Sequence, residues 1–178
     1  MARVEGPVMQ GEHVLEAVLT VLAERGPDAL SVRTVAAAAG VSPAQVQYYY
    51  RTKSELIRSG FAYAGERFLA DLRAAAPKTL RDTILHWLPL DDRRDRRARV
   101  WLAYAAMAAV DPELARESAA LDAELRAWYA DAGLSESEAA QLLALIDGLT
   151  VQCLVLPIRQ RQALVERVMD PFLATLAT

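Results

Sequence analysis

Residues 31–55 decide the fold of this chain, and they read SVRTVAAAAG VSPAQVQYYY RTKSE. Ser31 is a residue type that caps helix starts, and the alanine-rich run after it predicts a short helix. Gly40 is expected to end that helix, because glycine best adopts the left-handed backbone conformation found just beyond a helix. The stretch therefore begins with one short helix and a clear stop.

Two more helix starts follow in the same stretch. Ser42 is followed by Pro43, which is tolerated at the first helical position, and by Gln45, which completes a capping box. Thr52 and Glu55 repeat the capping pattern. Two short helices joined by so short a turn predict a helix-turn-helix.

The apolar residues of this unit are spaced to form its inner face. Ala36 and Ala39 keep the first helix thin where the second must cross it, and Val35 and Val46 are placed to meet between the helices. Three consecutive tyrosines cannot all face one way, and the spacing from Val46 predicts that Tyr50 points into the core.

The outward side chains are suited to DNA. Amides suit base edges, small apolar groups suit thymine methyls, and an arginine suits guanine or phosphate. The candidate base-reading residues are Arg33, Pro43, Ala44, Gln45 and Gln47. Hydroxyls and a cation near a helix start suit phosphates. The candidate phosphate contacts are Ser42, Tyr48, Tyr49, Thr52 and Lys53. A helical hairpin with a purely structural role is the alternative.

The charge distribution fits specific DNA binding. The whole chain has a net charge of −3, which argues against a protein coated in nucleic acid. Residues 29–54, however, carry three positive charges and no acidic residue. A modest local positive patch on a near-neutral domain favours operator binding over indiscriminate backbone binding.

Length and composition predict an all-α protein of one domain, or of two small ones sharing a boundary. The chain has 178 residues, of which 53% are apolar, with few glycines and prolines. One cysteine cannot form an internal disulfide, and the longest apolar stretch, residues 100–110, is too short to span a bilayer. With no signal-like segment at the start, we expect a cytoplasmic protein.

Apolar periodicity predicts further helices on both sides of the central unit. A first helix is expected over about residues 9–25 and a long fourth helix over residues 52–75. The fourth helix is the natural link between residues 1–51, the predicted DNA-binding domain, and residues 52–178, the predicted regulatory domain. Five more helices are predicted, with Pro157 ending or kinking the eighth and Asp170-Pro171 continuing or splitting the ninth.

The charged run at residues 91–99 allows two interpretations. A solvated first helical turn, with arginines paired behind the acids, is favoured over interdomain salt bridges. His86 has no second histidine nearby and is expected to be a partly exposed helix residue rather than a metal ligand. We therefore expect no metal and no cofactor.

These residues resemble a known family. The stretch SVRTVAAAAGVSPAQVQYYYRTKSELI, with the first helix before it, resembles the N-terminal DNA-binding domain of the TetR family of bacterial repressors over residues 9–57. Four downstream segments are similar to the BetI-type C-terminal regulatory domain: residues 88–91, 98–103, 111–114 and 146–149. The resemblance implies a helical ligand-binding domain, a homodimer formed by the last two helices, and a palindromic operator.

The resemblance also implies which residues of this chain would contact DNA bases and phosphates. The family's base-reading positions fall on the five residues given above, and its phosphate contacts fall on all the candidates except Thr52. Two departures from the family pattern are Gln47, where many members have an aromatic residue, and Arg51-Thr52. Gln47 bears on the operator sequence, and Arg51-Thr52 alters the turn slightly.

The expected effector-pocket residues and dimer-interface residues also depend on the resemblance. The effector pocket is expected to involve Tyr63, Trp87, Trp101, Tyr104, Met107 and Trp128, with ordinary core packing as the alternative. The dimer interface is expected to involve Leu142, Ile146, Gly148, Leu149, Cys153, Val165, Val168 and Phe172. Gly148 would allow the close approach of another helix, and Cys153 is expected to be a buried small residue.

Together these observations predict a ligand-responsive transcriptional repressor that binds a palindromic operator as a homodimer. Its partners would be double-stranded DNA, a second copy of the chain and an unknown small-molecule effector, with no membrane. An enzyme is disfavoured, because two histidines, one cysteine and no spaced carboxylate pair or phosphate loop give no catalytic arrangement. A helical dimeric interaction or ligand-binding protein without DNA binding is the other alternative.

Overall fold

The computed structural model describes residues 11–176, and over that range all of the regular structure is helical, which confirms the predicted fold class. A short 3-10 turn lies at Pro27–Ala29. The helices are α1 (Glu12–Arg25), α2 (Val32–Ala39), α3 (Pro43–Tyr49), α4 (Lys53–Ala75), α5 (Leu80–Trp87), α6 (Asp92–Ala108), α7 (Pro112–Asp131), α8 (Glu136–Leu154) and α9 (Ile158–Leu176). Within the described residues, no helix is both long and apolar enough to cross a membrane.

Short polar side chains begin most of the helices of the C-terminal half. The Thr79 side chain accepts the amide of Asp82 at the start of α5, and the Asp91 side chain accepts the amide of Arg94 at the start of α6. Ser135 and Glu138 form the predicted reciprocal capping box at α8. Each such cap is worth about 1 kcal/mol, so the helix starts are fixed locally.

Pro157 and Pro171, for which the sequence left open whether they end a helix, behave differently. α8 ends at Leu154, and α9 begins at Ile158, directly after Pro157. α9 then runs without a break through Pro171 to Leu176. Pro157 thus separates two helices, whereas Asp170-Pro171 does not split the ninth.

The chain divides into two compact units, the first ending at Ala70 and the second beginning at Asp71. α4 is continuous across that division. The first unit is built around α1, whose apolar residues Val14, Ala17, Val18, Val21 and Leu22 are all buried. Its core side chains include Val14, Leu15, Val18, Val21, Leu22, Leu30, Val35, Val46 and Leu56.

The second unit has its own core, formed mainly by α5, α7, α8 and α9. The fully buried members are Ile84, Leu88, Tyr129, Ala139, Leu142, Ile146, Leu149, Cys153, Val165 and Met169. Five residues expected at the dimer interface belong to this core: Leu142, Ile146, Leu149, Cys153 and Val165, each at most 4% exposed. The apolar stripe of α8 that carries four of them thus packs inside its own chain, and the assignment of these residues to a dimer interface stays a prediction. The other three expected interface residues remain partly exposed to solvent: Gly148, Val168 and Phe172.

The charged run at the start of α6 is only partly solvated. Asp95 pairs with Arg99 one turn later, as the favoured interpretation predicts. Arg94, however, donates to the backbone oxygen of Leu85 and Arg97 to that of His86, so both arginines cap the end of α5. The run therefore holds two helices of the second unit together.

A buried arginine completes this polar cluster. Arg161 of α9 is 3% exposed and donates to the backbone oxygens of Leu156 and Pro89 at 3.0 and 2.7 Å. It also pairs with Asp95 at 2.7 Å. Burial alone would raise the pKa of Asp95, but hydrogen bonds from Arg99 and Arg161 outweigh burial and hold that pKa below its usual value.

Candidate nucleic-acid interface

The helix α2 is fixed at both ends by the predicted signals. The Ser31 hydroxyl accepts the Thr34 amide at 3.1 Å, and the Thr34 hydroxyl accepts the Ser31 amide at 2.9 Å. Gly40 adopts the left-handed conformation with φ 68°, and the amide of Val41 donates back to the Ala36 oxygen at 3.0 Å. These bonds set the angle at which the chain enters α3.

The start of α3 realises only half of its predicted capping box. The Ser42 hydroxyl accepts the Gln45 amide at 3.2 Å, with Pro43 at the first helical position. Within residues 11–176 the Gln45 side chain makes no hydrogen bond, and it is exposed. Its amide group is therefore available to an external partner.

The start of α4 differs slightly from the expected pattern. The Thr52 hydroxyl accepts the amide of Glu55 at 3.0 Å, but the Glu55 carboxylate accepts the amide of Arg51 at 2.8 Å rather than that of Thr52. The carboxylate is thus bonded to backbone at the junction of α3 and α4. Lys53, the first residue of α4, is exposed beside it.

The unit separates an inner face from an outer face as predicted. Val35, Val46 and Tyr50 are buried, and Tyr50 is the inward tyrosine, whereas Tyr48 is 81% exposed. Burial, followed by the charge of Glu55, raises the pKa of Tyr50. Of the ten candidate DNA contacts, only Tyr49 is half-buried, and the exposed ones are Arg33, Ser42, Pro43, Ala44, Gln45, Gln47, Tyr48, Thr52 and Lys53.

The end of α3 lies against the start of α1. The rings of His13 and Tyr49 meet edge to face with centroids 6.1 Å apart, and Tyr48 lies 5.5 Å from Tyr49. Gly11 has φ +84°, and a Cβ built on it would come within 3.1 Å of Tyr49. The exposed His13 thus joins the tyrosine end of the candidate interface. No local pattern in the sequence connects residues so far apart in the chain.

A polar cluster joins α1 to the middle of α4. We call it the α1–α4 clamp and define it as Glu12, Glu16, Tyr63 and Arg67. The Tyr63 hydroxyl donates to Glu12 at 3.0 Å. Arg67 donates to the Tyr63 oxygen at 2.9 Å and to Glu16 at 3.1 Å. Tyr63 was expected in the effector pocket, but it packs inside the first unit, with its hydroxyl bonded to α1.

A glycine brings the same two helices together. A Cβ added to Gly60 of α4 would lie 2.7 Å from Cγ1 of Val18 on α1, a distance that side-chain carbons do not occupy without a shift. Gly60, which precedes Tyr63 in α4, therefore permits the close approach of α1 and α4 next to the α1–α4 clamp. The clamp residues recur four positions apart on each helix, a spacing visible in the sequence that puts both residues of a pair on one helix face.

The other expected pocket residues lie in the second unit and differ in exposure. Tyr104 is buried, and Trp87, Trp101 and Met107 are half-buried. Trp128 is 47% exposed. Within the described residues, no group of three or more His, Cys, Asp or Glu side chains is arranged to hold a metal ion.

Two family models match the chain. The model described as "Bacterial regulatory proteins, tetR family" matches residues 14–59, which include the helix-turn-helix. The model described as "BetI-type transcriptional repressor, C-terminal" matches residues 76–178. A relative, the HTH-type transcriptional regulator PksA of Bacillus subtilis (strain 168), is 26% identical over 176 residues, covering 88% of this chain and 84% of that protein.

Solved structures are similar over most of the chain. A transcriptional regulator from Rhodococcus sp. Rha1 is 30% identical with a TM-score of 0.82, covering 92% of this chain and 94% of that one. The multidrug binding protein EbrR, complexed with imidazole, is 25% identical with a TM-score of 0.65, covering 88% and 93%.

Proposed function

The chain belongs to the TetR family of bacterial transcriptional regulators, and from that premise we propose that it is a ligand-responsive repressor. As a homodimer it binds a palindromic operator, and a small-molecule effector releases it. The functional boundary lies at residues 51 and 52, with α4 as the connector. Because its target is bacterial DNA, the protein acts in the cytoplasm.

One observation carries the DNA-binding part of this proposal. α3 has a single buried side chain, Val46, and it presents amides, small apolar groups and hydroxyls on its exposed face. A recognition helix enters the major groove with its N-terminal residues against base edges. Gln45 and Gln47 supply the base contacts, and Lys53 with Tyr48 supplies contacts to phosphates.

The homodimer is supported by the outer surface of α8. We define the outer α8 stripe as Ala140, Ala144, Gly148, Val151 and Val155, which lie on the face opposite the core. Val151 is 44% and Val155 82% exposed, and a Cβ built on Gly148 would meet nothing within 4 Å. Small and β-branched residues at this spacing suit close packing against a second helix. Val168 and Phe172 of α9 extend the same interface.

The ligand response is supported by the helices and by a relative. EbrR, to which this chain is similar over 88% of its length, is described as a multidrug binding protein. The effector pocket of this chain is proposed to be lined by aromatic residues of the second unit and one methionine: Trp87, Trp101, Tyr104, Trp128 and Met107. α4 runs from the recognition unit into the second unit, so a shift of α4 changes the spacing of the two recognition helices.

A binding experiment tests the proposal. Duplexes selected from a random pool should share a palindrome, and the double variant Gln47→Ala, Lys53→Ala should bind that palindrome about 10- to 100-fold more weakly, since it loses one base contact and one phosphate contact. The matched control is Gln152→Ala, Lys78→Ala, which removes an exposed amide and an exposed lysine from the second unit.

Two outcomes would overturn the proposal. Undiminished affinity in the Gln47→Ala, Lys53→Ala variant would show that α3 does not contact the operator. A dimer with no salt-dependent binding to any member of the duplex pool would favour a helical ligand-binding or interaction protein without DNA binding.

A further inference from the structure

One exposed cation of the first unit has no role among the DNA contacts described so far. Residues 29–54 carry three positive charges and no acidic residue, and two of the three, Arg33 and Lys53, are candidate DNA contacts. The third is Arg51, which lies exposed between α3 and α4. Within residues 11–176 its guanidinium forms no ion pair and no hydrogen bond. Its charge is therefore available to an external anion.

The backbone of Arg51 is held from both sides. The side chain of Tyr50 before it is 7% exposed, and the Tyr50 amide donates to the Val46 oxygen at 2.9 Å. On the other side, the Arg51 amide donates to the Glu55 carboxylate at 2.8 Å. The Glu55 amide donates to the Thr52 hydroxyl at 3.0 Å, so the backbone of Glu55 is also fixed. A cation on a backbone so constrained loses little conformational freedom when it binds.

Glu55 is bonded to Arg51 and yet leaves the arginine charge unpaired. The carboxylate accepts the backbone amide, and among the described residues it forms no ion pair with the guanidinium. A carboxylate bonded to the guanidinium itself would compete with a phosphate for the same donors. Glu55 thus fixes the backbone of Arg51 while leaving its side chain to other partners.

The position of Arg51 in the chain indicates which part of a duplex it contacts. A recognition helix places its N-terminal residues against base edges, so the residues beyond its C-terminal end lie toward the sugar–phosphate backbone. α3 ends at Tyr49, and Arg51 follows two residues later. An exposed guanidinium at this place suits a phosphate, to which it can donate two parallel hydrogen bonds.

We propose that Arg51 of each protomer contacts an operator phosphate and that Glu55 is its positioning residue. The guanidinium donates to the phosphate oxygens, and the bond between the Arg51 amide and Glu55 holds the backbone that carries it. The contact adds affinity without sequence preference, because every nucleotide has the same phosphate. This inference rests on the proposed function, since it requires a dimer bound to a duplex.

Operator binding by the Arg51→Gln variant tests the contact. Loss of one phosphate contact in each protomer should weaken binding about 10-fold and reduce the slope of log K against log salt concentration by about 2, since each contact contributes about 0.9. The same fold loss is expected on a duplex of unrelated sequence. The matched control is Arg116→Gln, which removes an exposed arginine of α7 and should change neither quantity.

Two substitutions of Glu55 test its positioning role. Glu55→Gln and Glu55→Ala remove the same negative charge, but only glutamine keeps an oxygen that can accept the Arg51 amide. Glu55→Ala should bind the operator about fivefold more weakly than Glu55→Gln, and this difference should vanish when Arg51→Gln is also present. A purely structural role of Glu55 would leave the difference in place.

Three results would overturn parts of the proposal. Unchanged affinity and salt dependence in Arg51→Gln would remove the contact, and a loss confined to the palindrome would show that Arg51 contacts a base instead of a phosphate. A difference between the two Glu55 variants that persists in the Arg51→Gln background would remove the positioning role. A failure of the proposed function is distinguishable from all three, because the wild-type protein would then show no salt-dependent DNA binding.

Discussion

The recognition helix α3 and the long helix α8 expose opposite kinds of surface. α3 anchors itself through Val46 and presents polar side chains to the solvent. α8 buries one apolar stripe in its own core and presents a second stripe of alanine, glycine and valine. A polar exposed face suits a partner rich in hydrogen-bonding groups, whereas an exposed stripe of small apolar residues suits another helix. The exposed faces of the two helices therefore suit different kinds of partner.

The largest expected effect comes from placing a charge on the outer α8 stripe. Val151→Glu should convert the dimer to monomer at micromolar concentration, because an unpaired carboxylate buried in an interface costs several kcal/mol. Sedimentation analysis measures this. Ala119→Glu, on the exposed side of α7, is the control and should remain a dimer. An intact Val151→Glu dimer would remove α8 from the interface.

The inner and outer sides of α3 should respond differently to truncation. Val46→Ala should lower the free energy of unfolding by about 2 kcal/mol, because Val46 is fully buried and its loss leaves a cavity. Gln47→Ala should change it by no more than about 0.5 kcal/mol, while weakening operator binding. Denaturant titrations of both variants make the comparison, and equal stabilities would mean that Val46 does not anchor α3.

Two glycines of α4 also differ in their surroundings: Gly60 lies against α1, whereas Gly65 faces open space. Gly60→Ala should destabilise the protein by about 1–2 kcal/mol, because its Cβ would meet Val18 at 2.7 Å. Gly65→Ala places its Cβ in open space and should stabilise the helix by about 0.5–1 kcal/mol. Thermal unfolding should therefore shift in opposite directions. A stabilised Gly60→Ala variant would contradict the close α1–α4 approach.

The smallest expected effect concerns Asp147, an acidic residue in the middle of α8. Because the pKa of Asp147 is raised to about 6, its ionised form destabilises the folded state at higher pH. Asp147→Asn should raise Tm by about 2–4 °C at pH 7.5, corresponding to about 1 kcal/mol after allowance for solvent screening. The gain should fade as pH drops through 6 and be absent near pH 4, because the carboxyl is then protonated.

Asp131→Asn, which neutralises an exposed acid of α7, serves as the control for these thermal melts and should show no gain at either pH. A loss of stability in Asp147→Asn at pH 7.5 would mean that a cation already neutralises Asp147 in the free protein.

Local signals predicted much of the first unit. Ser31, Gly40 and Ser42 fix helix ends through bonds to residues three to five positions away, so their roles follow from neighbouring residues alone. The inward position of Tyr50 followed from one helical spacing. The same kind of signal located the starts of α5 and α8 at Thr79 and Ser135.

Contacts between distant segments were not predictable in the same way. α8 is apolar on more than one side, and the sequence did not indicate which side packs within the chain. Arg161 bonds to the oxygen of Pro89, which lies far from it in the chain. His13 and Tyr49 are brought together only by the crossing of α1 and α3. Tyr63 was assigned by its type, whereas its hydroxyl bond to Glu12 decides its place.

The small number of packing contacts made by α3 also bears on how the protein can evolve. Since Val46 and Tyr49 pack against the rest of the first unit, the exposed positions Ala44, Gln45 and Gln47 contribute almost nothing to packing. Each can be replaced at little cost in stability, so a duplicated copy of the gene can acquire a different operator one substitution at a time while its product stays folded. Regulators whose recognition helix has few core contacts can therefore change their target DNA sequence faster than their fold.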